Sequence, residues 1–224
     1  MLLSRILRHD LPKYPQLVSS LLPSGYIPLD TLLSLPVFNK KGAATRVSQD
    51  MVFAVVSDND KQRFSLRFGN NAVNDVDAKS RKVWWIRANQ GHSFSKGLND
   101  AEMLEPIIPS TEGEMLVYHG TTRCAYDNFI NRPVAQGGGL NKMKRNHLHL
   151  ATGAHFGADG CKSGMRKSSE IVIAVNVTKA HHDGGHRFFS SANGVVLVAG
   201  PIETDFFEQV VDHESGKKRG NENE

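Results

Sequence analysis

The sequence predicts an α+β chain of two lobes, the first helical with a closing hairpin, the second rich in strands. Three observations predict it. Apolar residues recur at helical spacing in short stretches up to about residue 56, then alternate with polar ones over residues 64–68. A stretch containing Pro and Glu, PIIPSTEGE at residues 106–114, breaks the pattern like a linker. Beyond it lie apolar runs of strand length, among them IVIAVNV at residues 171–177.

At 224 residues the chain holds one large or two small domains, each with a sizeable core. A composition 39% hydrophobic and 22% charged reads as soluble and globular, and no apolar run approaches membrane-spanning length. The opening MLLSRILRHD carries Arg5 and Arg8 and makes a poor signal peptide. Cys124 and Cys161 lack a CxxC spacing and read as reduced thiols of an intracellular protein, cytoplasmic or nuclear. The ten histidines show no spacing typical of zinc sites. Net charge is +4 but uneven. Residues 1–100 hold 14 Lys and Arg against eight Asp and no Glu, a net of +6, while residues 101–224 net −2. Such asymmetry points the first lobe toward a polyanion.

Residues 2–9 predict a short helix burying Leu2, Leu3, Ile6 and Leu7 and closed by Arg8 and His9, two cations suited to its C-terminal dipole. Pro12 and Pro15 end it. Leu17 to Leu22 form a second apolar stretch that stops at the turn Pro23-Ser24-Gly25. Pro28 marks a helix start, and Ser48 caps a helix through Met51, Val52, Val55 and Val56. In NDKQRFSLRF, residues 59–68, Phe64, Leu66 and Phe68 alternate with polar residues as a half-buried strand, which puts Lys61 and Arg63 on one face. Residues 69–80 read as a polar loop, and Val83 to Ile86 begin the partner strand. Short helices followed by a two-stranded hairpin is the pattern of a winged helix-turn-helix, a nucleic-acid module.

In the second lobe, Met115 to Tyr118 predict a strand with His119 and Gly120 at its end, where a side-chain-free Gly lets a ligand approach. Tyr126 to Ile130 read as a short helix and Gly137 to Gly139 as a turn without dinucleotide-fingerprint spacing. The stretch LNKMKRNHLHL, residues 140–150, sets His147 and His149 two apart. An extended backbone would put both imidazoles and Arg145 on one face, with Leu148 and Leu150 in the core. That face suits phosphate. Asn193-Gly194 is a turn before the strand Val195 to Val198, Phe206 to Val211 a last strand or helix, and residues 214–224 a disordered tail.

Eight motifs then stand in order: LLSRILRH, GYIPLDTLL, NDKQRF, ANQGHS, YHGT, MKRNHLHL, SGMRKSS and ANGVVL. Each is weak alone; together, over residues 2–211, they resemble the RNA 2′-phosphotransferase family. The resemblance implies a winged-helix RNA-binding lobe at 1–105 and an ADP-ribosyltransferase-like β-sandwich lobe that binds NAD at 106–213. It implies NAD-dependent removal of an internal RNA 2′-phosphate at a tRNA splice junction. In the family's chemistry the 2′-phosphate attacks C1″ of NAD and expels nicotinamide. The ribose O2″ then attacks phosphorus, leaving 2′-hydroxyl RNA and ADP-ribose 1″,2″-cyclic phosphate. The partner is RNA, the co-substrate NAD, and no metal is required; no membrane is involved and the chain reads as a monomer.

Position by position, the resemblance puts the family's Arg-His pair on Arg8 and His9, its strand arginine on Arg63 with a nearby substrate-phosphate lysine on Lys61, and its second-lobe arginine on Arg145. The NAD-binding histidine and its neighbours fall on His119, Gly120 and Thr121, with His149, Arg166 and Ser169 in the same pocket. The chain opens almost at the first motif, so a short first helix is expected. Residues 69–80 are longer than the family spacing, and the glycine run is unlike the family's approach to residue 140. Two other functions fit less of the sequence: ADP-ribosylation of terminal nucleic-acid phosphates, and non-catalytic nucleic-acid binding. Arginines in both lobes, Arg63 and Arg145, favour a working cleft over binding alone.

Overall fold

The computed structural model describes residues 2–39, 46–70, 82–153, 168–212 and 218–219. Helices and antiparallel sheets alternate in an α+β chain that divides into two compact units, Met1–Met103 and Leu104–Glu224.

In the first unit, α1 (Leu2–Arg5) runs directly into a π-helical turn, Ile6–Asp10, and a 3₁₀ turn, Leu11–Lys13. Ile6, Leu7 and Leu11 enter the core. Pro15 opens α2 (Pro15–Val18), where a missing N–H costs nothing. Gly25, at φ 81°, reverses the chain into β1 (Ile27–Pro28) and α3 (Leu29–Leu33). The Ser48 hydroxyl accepts the Met51 N–H at 3.3 Å and caps α4 (Gln49–Ser57). Of the four apolar residues expected to pack from α4, only Val52 is fully buried, whereas Met51 and Val55 are 44% and 51% exposed. Met51 and Val55 form one i,i+4 pair and Val52 and Val56 another, rotated by about 100°, so a single wall covers only one pair.

β2 (Phe64–Gly69) and β3 (Val83–Ala88) pair antiparallel with Leu66 opposite Ile86, and β1 lies on the other edge of β3. The strand starts later than the alternation predicted. The Gln62 N–H donates to the Asn59 carbonyl at 2.7 Å, Gln62 sits at φ 42°, and the Asn59 side chain accepts the Arg63 N–H at 3.1 Å. This Asn-led turn wins over the extended form, so Lys61 and Arg63 do not share a strand face. Residues 71–81, most of the expected polar loop, lie outside the described residues. α5 (Asp100–Met103) ends the unit.

The first strand of the second unit is β4 (Glu105–Ile107), which overlaps the start of the stretch expected to be a linker. Its Pro106 is accommodated because, among the described residues, β4 is an edge strand paired only with β8 (Phe188–Ser190). Then follow β5 (Leu116–Thr121), α6 (Arg123–Ala125) with its π-helical extension Tyr126–Ile130, and β6 (Leu148–Leu150). Next come β7 (Ile171–Asn176), α7 (Val177–His182), β9 (Val196–Val198), β10 (Phe207–Asp212) and β11 (Lys218–Arg219). One sheet has the order β11-β10-β7-β5 and the other β4-β8-β9-β6. Both feed one core: Val117, Ile171, Ile173, Val175 and Val210 from the first, Leu148, Leu150, Phe188, Val196 and Val198 from the second. All six residues of β7 are buried, as a continuous apolar run in an interior strand requires. Gly194, at φ 74°, makes the expected turn before β9. The tail expected to be disordered contributes β11, whose Lys218 and Arg219 pair with Val211 and Val210.

Candidate active site

In the first unit the candidate residues gather on one segment, Asn89–Ser93, directly after β3. Arg8 is buried, not a solvated cap. The Ser93 N–H donates to its carbonyl at 2.9 Å, and the Ser93 hydroxyl lies 3.0 Å from His9 Nδ1. His9 itself is exposed. Gly91 has φ 88°, a backbone conformation that favours glycine, and it lies against Arg8, where an added Cβ would stand 3.4 Å from the guanidinium carbon. Four residues upstream of Ser93, the Asn89 N–H donates to the Arg63 carbonyl at 2.9 Å, its side-chain NH₂ donates to the Gln62 carbonyl at 2.7 Å, and its oxygen accepts the Ser65 hydroxyl at 2.6 Å. One five-residue segment therefore fixes the backbones of Arg8 and Arg63. Lys61 stays on the turn before the strand, half-buried. Next to His9, Asp10 accepts from Lys13 and Arg5 at 2.7 Å each, and the Lys13 hydrogen bond foremost holds its carboxyl below the usual value.

In the sequence ANQGHS stands only as a motif, with no burial implied. Asn89, Gln90 and His92 are in fact buried. A polar run after a strand looks like exposed loop; the only local signal against that is its glycine, which permits φ above zero.

In the second unit His119 lies inside β5, opposite Ile173, and the strand continues through Gly120 and Thr121 instead of ending before them. Its Nδ1–H donates to the His149 carbonyl at 3.2 Å, and the His149 Nδ1–H donates to the His147 carbonyl at 3.0 Å. A carbonyl only accepts, so each Nδ1 carries a proton. What brings the two histidines together is a backbone bridge between Tyr118 and Ala151, which joins edge strand β5 to the chain just after edge strand β6. Thr121 accepts the Glu170 N–H at 2.9 Å, so Ser169 is one residue from that contact. Arg166 lies outside the described residues.

The expected extended face of Arg145, His147 and His149 is not formed. Met143 sits at φ 57° and the Arg145 N–H donates to the Lys142 carbonyl at 3.2 Å, a turn that breaks the alternation. Arg145 is exposed on that turn, and only Leu148–Leu150 are strand, with His149 buried at 7% exposure. Arg123, unassigned in the sequence, forms a latch. Its guanidinium donates twice to Asp212, at 3.0 and 2.8 Å, and its N–H donates to Glu170 at 2.9 Å. Asp212 is 2% exposed. Partners 47 and 89 residues away leave no local sequence signal.

His119, His149, Thr121 and Ser169 offer imidazole nitrogens and hydroxyls and no carboxylate. That donor set fits ribose hydroxyls and diphosphate oxygens, as NAD would require. Among the described residues no three His, Cys, Asp or Glu side chains are grouped to hold a metal. No helix among them is long and apolar enough to cross a membrane.

A family model described as RNA 2'-phosphotransferase, Tpt1 / KptA family, matches residues 1–200. The chain is similar to "tRNA 2'-phosphotransferase 1" of Bos taurus, 36% identical over 176 residues that make up 79% of this chain and 59% of that one. It is similar to "tRNA 2'-phosphotransferase" of Saccharomyces cerevisiae, 30% identical over 209 residues, 93% of this chain and 80% of that one. A Schizosaccharomyces pombe relative is 33% identical over 211 residues, 93% of this chain, which thus spans about half (49%) of that relative's length.

Proposed function

This chain belongs to the RNA 2'-phosphotransferase, Tpt1 / KptA family, and from that premise we propose that it removes an internal 2′-phosphate from RNA, such as spliced tRNA, with NAD as acceptor. The family match over residues 1–200 carries the proposal. In this proposal residues 1–105 are a winged-helix RNA-binding lobe and residues 106–213 an ADP-ribosyltransferase-like lobe. Helices followed by the β1-β3-β2 sheet support the first, and two sheets around one core the second.

NAD supplies the ribose carbon that takes the phosphate oxygen and the neighbouring hydroxyl that later takes the phosphorus. His119, Gly120, Thr121, His149, Arg166 and Ser169 are proposed to hold it. The Nδ1–H bonds of His119 and His149 to carbonyls support this role, because they fix both rings. Arg8, Arg63 and Arg145 are proposed to bear on the phosphate, with Lys61 as a further cation. Guanidinium groups match phosphate oxygens bidentately and stabilise charge that grows in the transition state. His9 is proposed to move the proton between the attacking hydroxyl and the departing RNA 2′-oxygen. Its contact with Ser93 supports that role, since it limits the ring's rotation. The chemistry runs without a metal. The protein is proposed to act as a monomer inside the cell, in cytoplasm or nucleus; the exposed free thiol of Cys124 supports a reducing compartment.

The test is incubation of 2′-phosphorylated RNA with NAD and mass analysis of both products. Dephosphorylated RNA with ADP-ribose cyclic phosphate is expected. A stable ADP-ribosylated terminal phosphate, or no turnover, would overturn the proposal.

A further inference from the structure

On the sheet of the first unit, two guanidinium groups flank one aromatic ring. The Arg67 Cζ lies 4.5 Å from the centre of the Tyr26 ring and the Arg87 Cζ 4.8 Å from it. Arg67 also lies over the Trp85 ring at 5.3 Å. Strand register explains the cluster. Ile27 pairs with Ile86, so Tyr26 stands beside Arg87, while Arg67 is opposite Trp85 and Ser65 opposite Arg87. All three cluster residues are half-buried, and Arg87 is anchored by donating to the Ser24 carbonyl at 3.0 Å. Among the described residues no ion pair includes Arg67 or Arg87.

The Arg67 guanidinium, held over two rings, has its orientation restricted before a ligand arrives and can offer N–H groups to phosphate oxygens. Two such cations on one ring, with no carboxylate bonded to either, make a local positive field in the half of the chain that nets +6. The cluster continues from a candidate phosphate residue. Arg63 stands one step before β2, its carbonyl accepting the Asn89 N–H in continuation of the β2–β3 ladder. Arg67 is four residues further, about 13 Å along an extended chain.

We propose that Arg67, Tyr26 and Arg87 form a docking surface for the RNA strand that flanks the 2′-phosphate, a proposal that rests on the RNA reading above. The Arg67 guanidinium takes a backbone phosphate, Arg87, whose Nε is buried and whose terminal N–H is held by the Ser24 carbonyl, adds positive charge beneath it, and the half-exposed aromatic edge takes a base or ribose, the combination that holds single strands without reading sequence. The surface is distinct from the residues assigned to the reacting phosphate. It therefore contributes to affinity for a strand, not to the chemical steps.

The test measures binding of a labelled 2′-phosphorylated dinucleotide and of a longer 2′-phosphorylated single strand by anisotropy across a salt series. Wild type, Arg67→Gln and Arg67→Lys are compared, with turnover of the dinucleotide followed in parallel. For the longer strand, Arg67→Gln should lower the slope of log affinity against log salt by about 0.7 for each phosphate that is no longer neutralised. Arg67→Lys should keep the slope, and dinucleotide turnover should be the same in all three proteins. An unchanged slope in Arg67→Gln overturns the proposal, as does an equal fall in both variants, which would mark a packing role. Poly-glutamate bound with the same dependence on Arg67 would also overturn it, in favour of an acidic protein partner. If wild type fails to turn over the dinucleotide, the reaction proposed above fails, while the slopes still decide the docking surface.

Discussion

The Nδ1–H of His119 points at the backbone carbonyl of His149, 3.2 Å away. One candidate cofactor residue thus orients its ring on the main chain of another. Because the acceptor is backbone, a change of the His149 side chain leaves this bond in place. The two residues can therefore be tested separately.

His119→Ala should weaken NAD binding by about tenfold, the order expected for losing one good hydrogen bond to a ligand. RNA affinity should stay within twofold, if the second unit holds NAD and the first the RNA. Calorimetric titration of NAD and anisotropy of labelled RNA read the two effects. Undiminished NAD affinity would remove His119 from the site.

Ser93 touches His9 Nδ1 at 3.0 Å and the Arg8 carbonyl through its N–H at 2.9 Å. Ser93→Ala removes the first interaction, together with the long 3.4 Å bond from the hydroxyl to the same carbonyl, and keeps the N–H bond. It should lower kcat by about tenfold with little change in the KM for RNA, because the ring's alignment is lost while the N–H bond still holds the Arg8 backbone. Ser93→Thr, which retains the hydroxyl, should recover most of the rate. If alanine and threonine behave alike, the hydroxyl does not orient His9.

The two steps of the proposed reaction make unlike demands. In the first, a phosphate that already bears its charge displaces neutral nicotinamide, and positioning suffices. In the second, a hydroxyl must lose a proton while charge grows on phosphoryl oxygens, which calls for cations and an acid-base group. Arg63→Ala or His9→Ala should therefore slow the second step by about 10²–10³ and the first by less. RNA bearing ADP-ribose on its 2′-phosphate should accumulate as a slower gel band that decays late. Variants that stall on unreacted RNA would reassign both residues to binding or to the first step.

Arg123→Ala should cost about 3–5 kcal/mol, because Asp212, 2% exposed, would keep a buried charge without its bidentate partner. Thermal unfolding followed by circular dichroism should show a lower Tm. Replacing both residues, Arg123→Met with Asp212→Leu, should restore most of the stability, since no buried charge then remains. A single variant that melts like wild type would show that the latch contributes nothing.

Local patterns in the sequence determined much of this protein. Apolar spacing and turn chemistry were enough for the capped helix at Ser48, the hairpin strands around Phe64 and Ile86, the buried strand from Ile171 and the turn at Gly194. Each depends on neighbours within a few residues, and those interactions act before the chain closes on itself. Motif order was enough for the family. Tertiary structure alone decided the rest. Alternation continued the strand back to Lys61 and Arg145, where Asn59 and Met143 turn the chain. Asn89, Gln90 and His92 stood in the sequence only within a motif, and they are buried in a segment that residues 84 or more positions earlier, Arg8 and His9, return to meet at Ser93. Arg123 gave no signal, since its carboxylates come from Glu170 and Asp212. A hydrogen bond between distant residues leaves no periodicity in either segment, so it emerges only when sheet register sets both side by side.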